Sequence, residues 1–117
     1  MNKVALITGT RKGIGRHLAL HLLEEGWRVA GVSRRQANID HEHYRHYSVD
    51  VSEERAVVEM VREVKNELGP VHALLNNAGT ASMNHVLLTP VSTYRSVFDT
   101  NVLGSFLLLR ECAKQMV

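Results

Sequence analysis

The chain has 117 residues, enough for one small domain and too few for two. Apolar residues make up 44 %, sufficient for a buried core, while a net charge of +2, scarce aromatics and no basic run beyond Arg34-Arg35 argue against a nucleic-acid partner. The single cysteine, Cys112, excludes an internal disulfide; the amino-terminal apolar run is too short for a secretory signal and no segment reaches membrane-spanning length, so the expectation is a soluble cytoplasmic protein with no membrane partner.

No repeat, low-complexity tract or linker interrupts the chain. Strand-like and helix-like segments alternate, which predicts an α/β fold with a mainly parallel sheet. Val4 to Thr8 is a continuous apolar run, as expected of a strand buried on both faces. A helix is expected from about Gly13 to Glu25. Ile14, Leu18 and Leu22 recur at helical spacing beside Ala19 and Leu23, and Gly26 offers a stop. Trp27 to Val32 reads as the second strand. The polar stretch Ser33 to Glu42 shows no helical period, and Tyr44 to Val49 is a weak third strand. Ser52 can cap the next helix, with Glu53 and Glu54 at its positive end and Val57, Val61, Val64 and Leu68 as its apolar stripe. Gly69-Pro70 ends it, and Val71 to Asn76 is the fourth strand. After a loop of small and polar residues, Pro90 and Ser92 open a helical segment that runs to the end. Tyr94, Val97, Asn101, Ser105, Leu108 and Cys112 share one of its faces.

The sharpest feature is Thr8-Gly9-Thr10-Arg11-Lys12-Gly13-Ile14-Gly15, between the first strand and the first helix. A glycine at the strand exit permits a tight turn. Later glycines let backbone approach a pyrophosphate and let helix pack on strand, while the helix N-terminus presents free N–H groups. Read alone, the loop also suits an ordinary glycine turn.

Taken with Asn76-Asn77-Ala78-Gly79 at the end of the fourth strand, Asp50-Val51 after the third and Asn101 in Thr100-Asn101-Val102-Leu103-Gly104, the loop resembles the short-chain dehydrogenases/reductases of the classical type. The resemblance runs from Val4 to the last residue. It implies a Rossmann-type doubly wound parallel sheet, here incomplete at about four strands. Gly9, Gly13, Ile14 and Gly15 would hold the pyrophosphate, with Thr10, Arg11 and Lys12 in the same cofactor-binding loop. Asp50 would accept a hydrogen bond from the adenine amino group, with Val51 beside it. Asn76, Ala78 and Gly79 would line the adenosine ribose and fix the fourth strand, with Asn77 among the cofactor-binding residues. Asn101 would be the helix asparagine of the family's Asn-Ser-Tyr-Lys catalytic tetrad. An asparagine on an otherwise apolar helix face needs a hydrogen-bond partner, so a purely structural Asn101 fits the same pattern.

Proteins that bind NAD commonly place a carboxylate at the end of the second strand. Here Ser33, Arg34 and Arg35 stand there, and Lys12 can reach the same region. A guanidinium fork and an ammonium suit a 2′-phosphate, so NADP (NADPH) is favoured over NAD. The bridge from Ser33 to Glu42 is too short for the helix the family usually carries between its second and third strands, so the adenine side of the pocket is expected to be more open.

In that family a tyrosine supplies the proton, a lysine four residues on lowers its pKa, and a serine orients the carbonyl. No Tyr-x3-Lys occurs in this chain. The expectation is one domain, 1–117, cut before the catalytic Ser/Tyr-x3-Lys region. It would be the cofactor-binding half of an NADP-dependent oxidoreductase acting on a small-molecule carbonyl or alcohol, inactive alone. A non-catalytic dinucleotide-binding module and one part of a split enzyme are the alternatives. Phe106, Leu107, Leu108 and Leu109 make the last helix apolar on more than one side, which points to a homo-oligomer formed through it. His41, His43 and His46 cluster with Glu42, and His17 and His21 sit one turn apart. Neither group has a recognised metal spacing, so surface histidines are expected, with Cys112 in the core.

Overall fold

The computed structural model describes residues 3–79 and 86–116. Thr80 to His85, within the loop read as small and polar, lie outside them, as do Met1, Asn2 and Val117. Strand β1 spans Val4–Thr8 and is buried at every position, as its unbroken apolar run requires of a strand covered on both faces. Helix α1 covers Gly13–Glu24, β2 Arg28–Ser33, β3 Tyr44–Ser48, α2 Glu54–Glu67 and β4 Ala73–Leu75. The four strands form one parallel sheet in the order β3-β2-β1-β4. The chain therefore winds outward from β1 to β3, then crosses back to place β4 on the other side of β1.

Side chains alternate across the sheet and build two cores. On one face Ala5, Ile7, Val29 and Tyr44 pack with Ala19 and Leu23 of α1. On the other, Val4, Leu6, Ala30 and Val32 meet Val57, Met60, Val61 and Val64 of α2 and Leu107, Leu108 and Cys112 near the carboxyl end. Residues between β2 and β3 form no helix. Ala37 and Ile39 pack onto the α1 side instead, and the Arg16 guanidinium donates to the Asn38 carbonyl at 3.2 Å. The short crossover thus covers part of that face without regular structure.

Three local expectations need correction. Ile14 is 71 % exposed, because the first turn of α1 projects past the strand ends; the buried stripe is Gly15, Ala19 and Leu23. Ser52 does not cap α2. Glu53 holds the cap position without a side-chain bond, and Ser52 instead donates its N–H and its hydroxyl to Asp50 Oδ1 at 3.0 and 2.7 Å. The last helical segment is not one regular helix. A 3-10 turn at Val86–Leu88 precedes α3, Val91–Phe98; a π-helical stretch, Asp99–Leu103, leads into α4, Gly104–Met116. The wider π turn shifts the face that meets the sheet. Gly104, Leu107, Leu108, Glu111 and Cys112 are buried, whereas Tyr94 and Asn101 are exposed and α3 buries no residue.

Candidate functional site

The carboxyl ends of the strands converge on one cleft of about 530 Å³. It opens where β1 and β4 part in chain order, the switch point at which open parallel sheets hold ligands. Its floor is the glycine loop. Gly9 has φ +76°, a left-handed turn that other residues resist. Its N–H donates to the Val32 carbonyl at 2.7 Å, which ties the loop to β2. A Cβ on Gly15 would collide with the Gly9 carbonyl oxygen, so α1 can start this close to β1 only with glycine there. Lys12, the cap residue of α1, forms no side-chain cap, and the first turn has no acidic residue. Its N–H groups are therefore suited to an external anion.

One wall follows β4. Thr8, fully buried, accepts the Ala78 N–H on its hydroxyl at 2.7 Å, and Asn77 Nδ2 lies over Gly9 and Gly15. The opposite wall is Ser33, Arg34 and Arg35, with Val49 and Val51 after β3. Among the described residues, the lining holds the cations Arg11, Lys12, Arg34 and Arg35 and no carboxylate. Asp50, between the lining residues Val49 and Val51, is 3.7 Å from Arg34. Burial alone would raise its pKa, but the hydrogen bonds from Ser52 and the Arg34 charge outweigh that and hold it below the usual carboxylate range.

Of the residues singled out from the sequence, Gly9, Arg11, Lys12, Gly13, Ser33, Arg34, Val51, Asn77, Ala78 and Gly79 line this cleft. Thr10 lies beneath it, fully buried, and Gly15 packs against the loop from behind. Ile14 points to solvent, outside the lining. Asp50 stands at the edge, turned to Ser52. Asn76 faces the other way and donates its amide to the Ser105 carbonyl at 3.0 Å, joining β4 to α4. Asn101 sits in the π-helical stretch near Gly79, and its carbonyl accepts the Ser105 hydroxyl at 2.9 Å. Ser96 and Thr100 also line the cleft. Sequence reading passed over them, although their four-residue spacing on one helix face was a usable signal.

Known proteins share this fold. A family model described as short chain dehydrogenase matches residues 3–117. Over its whole length the chain is 35 % identical to the 3-oxoacyl-(acyl-carrier-protein) reductase FabG of Staphylococcus epidermidis, of which it covers 52 %. Among solved structures, ElxO with NADP bound is 28 % identical with a TM-score of 0.90, the match covering 99 % of this chain and 51 % of that one. A 4-hydroxyisoleucine dehydrogenase complexed with NADH is 26 % identical with a TM-score of 0.89, over 97 % of this chain and 49 % of that one. The chain spans about half the length of the curated relatives it matches.

Proposed function

Because the chain belongs to the short-chain dehydrogenase family, we propose that it is the cofactor-binding half of an NADP(H)-dependent oxidoreductase that moves a hydride between nicotinamide and a small carbonyl or alcohol substrate. The observation that carries the choice of cofactor is the lining of the cleft: Arg11, Lys12, Arg34 and Arg35 with no carboxylate among the described residues. A 2′-phosphate on the adenosine ribose would meet the Arg34–Arg35 turn, where guanidinium groups can bind it through charge-assisted hydrogen bonds. NAD offers only a hydroxyl there. The pyrophosphate would lie over the N-terminus of α1, where Gly13, with open space at the place of a Cβ, leaves room for its approach.

Fluorescence titration tests this reading. NADPH is expected to bind at least about tenfold more tightly than NADH, a difference of about 1.4 kcal/mol. Equal affinity would overturn the NADP assignment, and no binding of either would overturn the cofactor reading.

The chemistry belongs to the complete protein. With no Tyr-x3-Lys in the 117 residues, the chain by itself is expected to bind dinucleotide without steady turnover. Sustained NADPH-dependent reduction by the purified chain would contradict that. Two open surfaces fit a larger assembly in the cytoplasm. Among the described residues β4 pairs only with β1, and the groove between Ala73, Leu74 and Phe106, Leu109, Met116 is apolar; a further strand of a chain about twice this length suits it. The outer side of α3 and the π-helical stretch exposes Tyr94, Phe98 and Val102 and suits a second copy. Sedimentation of the complete protein as a monomer would sink the second-copy assignment.

A further inference from the structure

A line of polar side chains runs under the cleft and joins its floor to one wall. Thr10 Oγ1, in the glycine loop, lies 2.8 Å from the Tyr44 hydroxyl. That hydroxyl lies 2.8 Å from His46 Nδ1. On the ring's far side, His46 Nε2 is 2.7 Å from the Arg35 carbonyl and 2.9 Å from Ser33 Oγ, and the Ser33 hydroxyl also donates to the Arg35 carbonyl. Gly31 makes room for this line, since a Cβ there would overlap the Tyr44 hydroxyl and crowd Thr10 Oγ1.

Donor chemistry sets the direction of the chain. The Arg35 carbonyl can only accept, so Nε2 carries the hydrogen. Burial pushes the His46 pKa down against the opposing Arg35 bond, so the ring is neutral near pH 7 and Nδ1 is bare. Tyr44 then donates to Nδ1, and Thr10 donates to Tyr44. Every contact then pairs a donor with an acceptor, and the turn carrying Arg34 and Arg35 is held by the ring and the Ser33 hydroxyl rather than by regular structure.

We propose that His46 is a positioning residue for dinucleotide selection: its ring holds the Ser33–Arg35 turn where a 2′-phosphate is read, and Tyr44 couples that turn to Thr10 in the pyrophosphate loop. The proposal rests on the cofactor reading above and goes beyond it, because His46 does not itself line the cleft.

The test is the ratio of NADPH to NADH affinity in the protein and its variants. His46→Phe is expected to lower that ratio about tenfold, the scale of a lost hydrogen bond to a charged group. His46→Gln keeps an N–H that can reach the Arg35 carbonyl and is expected to recover most of the ratio. A merely structural histidine would weaken both dinucleotides by the same factor, and that result would overturn the proposal. If His46→Phe fails to fold, Tyr44→Phe takes its place: it leaves the Arg35 contact and cuts the link to Thr10. A fall of about threefold in the ratio is expected, and an unchanged ratio overturns the coupling. In the unsubstituted protein, imidazole nitrogen NMR should show Nε2 protonated and should move on adding NADPH but not NADH. An equal response to both would overturn the proposal while leaving dinucleotide binding intact; no binding of either would overturn both readings.

Discussion

Residues 3–79 and residues 86–116 answer to different surroundings. In the first region β1 is buried along its whole length, and α1 and α2 cover opposite faces of the sheet with their apolar stripes. In the second, α3 buries nothing, and Leu87, Leu88, Val91, Tyr94, Phe98 and Phe106 are each at least half exposed. Outside this region Ile14 is the one large apolar side chain that is exposed among the described residues. Hydrophobicity in the first region is satisfied within the chain. In the second it marks surface that these residues leave uncovered. The two regions therefore predict opposite responses to the same kind of substitution.

The largest effect is expected where the first region is tightest. Gly15→Val forces a side chain into the Gly9 carbonyl and the Asn77 amide. Moving the Gly9 backbone and the Asn77 side chain should cost on the order of 3 kcal/mol or more and abolish dinucleotide binding. Urea unfolding and an NADPH titration measure the two losses. A fully stable variant would mean that the loop can relax, and that the contrast in packing between the regions is overstated.

The second region supplies its own internal contrast in neighbouring leucines. Leu108 is fully buried between α4 and the sheet, and Leu109 is 60 % exposed. Leu108→Ala should cost about 2–5 kcal/mol, and Leu109→Ala less than about 0.5 kcal/mol in the chain alone. In the complete protein the second value should rise if the groove beside Leu109 is filled. Equal costs in the isolated chain would break the comparison at its centre.

Much of the first region was legible because its signals are local. The apolar run of β1, the glycines at 9, 13 and 15 and the Val57–Leu68 stripe each depend on residues a few positions apart. Ile14 misled because helical periodicity does not say where the sheet ends. Ser52 misled because the carboxylate of Asp50, two residues back, competes for its hydroxyl. The π-helical stretch was invisible to a pattern that assumes 3.6 residues per turn, and the face assigned to Asn101 was lost with it. The Thr10–Tyr44–His46 line was out of reach for another reason: its first contact joins residues 34 positions apart and depends on the missing side chain at Gly31. No spacing rule connects those positions before the strand register is known.

A smaller effect separates the cleft from the rest of the first region. Arg34→Ala removes one wall cation and the 3.7 Å pair with Asp50. That pair is solvent-exposed and contributes little to stability, so melting should hardly change. NADPH affinity should fall about tenfold and NADH affinity should stay within about twofold. Equal losses would place the Arg34 guanidinium on a part of the ligand that both dinucleotides share.

The smallest expected effect is on pH dependence. The folded chain lowers the pKa of His46 below its ordinary 6.5, chiefly by burial. The unfolded chain therefore binds the proton at a higher pH than the folded one does. Stability from the neutral ring is complete above 6.5 and is lost as pH falls from there toward the lowered folded value. Asp50 adds a separate step: its pKa is held below the ordinary 3.8, so its contribution persists above 3.8 and fades only in stronger acid. Glu111, in the second region, behaves like Asp50. Burial alone would raise its carboxyl, but hydrogen bonds from Lys114 and Arg110 outweigh that and hold it below 4.5. The step just below pH 6.5 thus belongs to the cleft side of the molecule. His46 is only partly buried, so the drop in melting temperature across this step should be small. Thermal melts from pH 7.5 to 5 should show it in the unsubstituted protein and not in His46→Gln. If the step survives that substitution, another histidine carries it, and the neutral ring under the Arg35 turn is not what the fold protects.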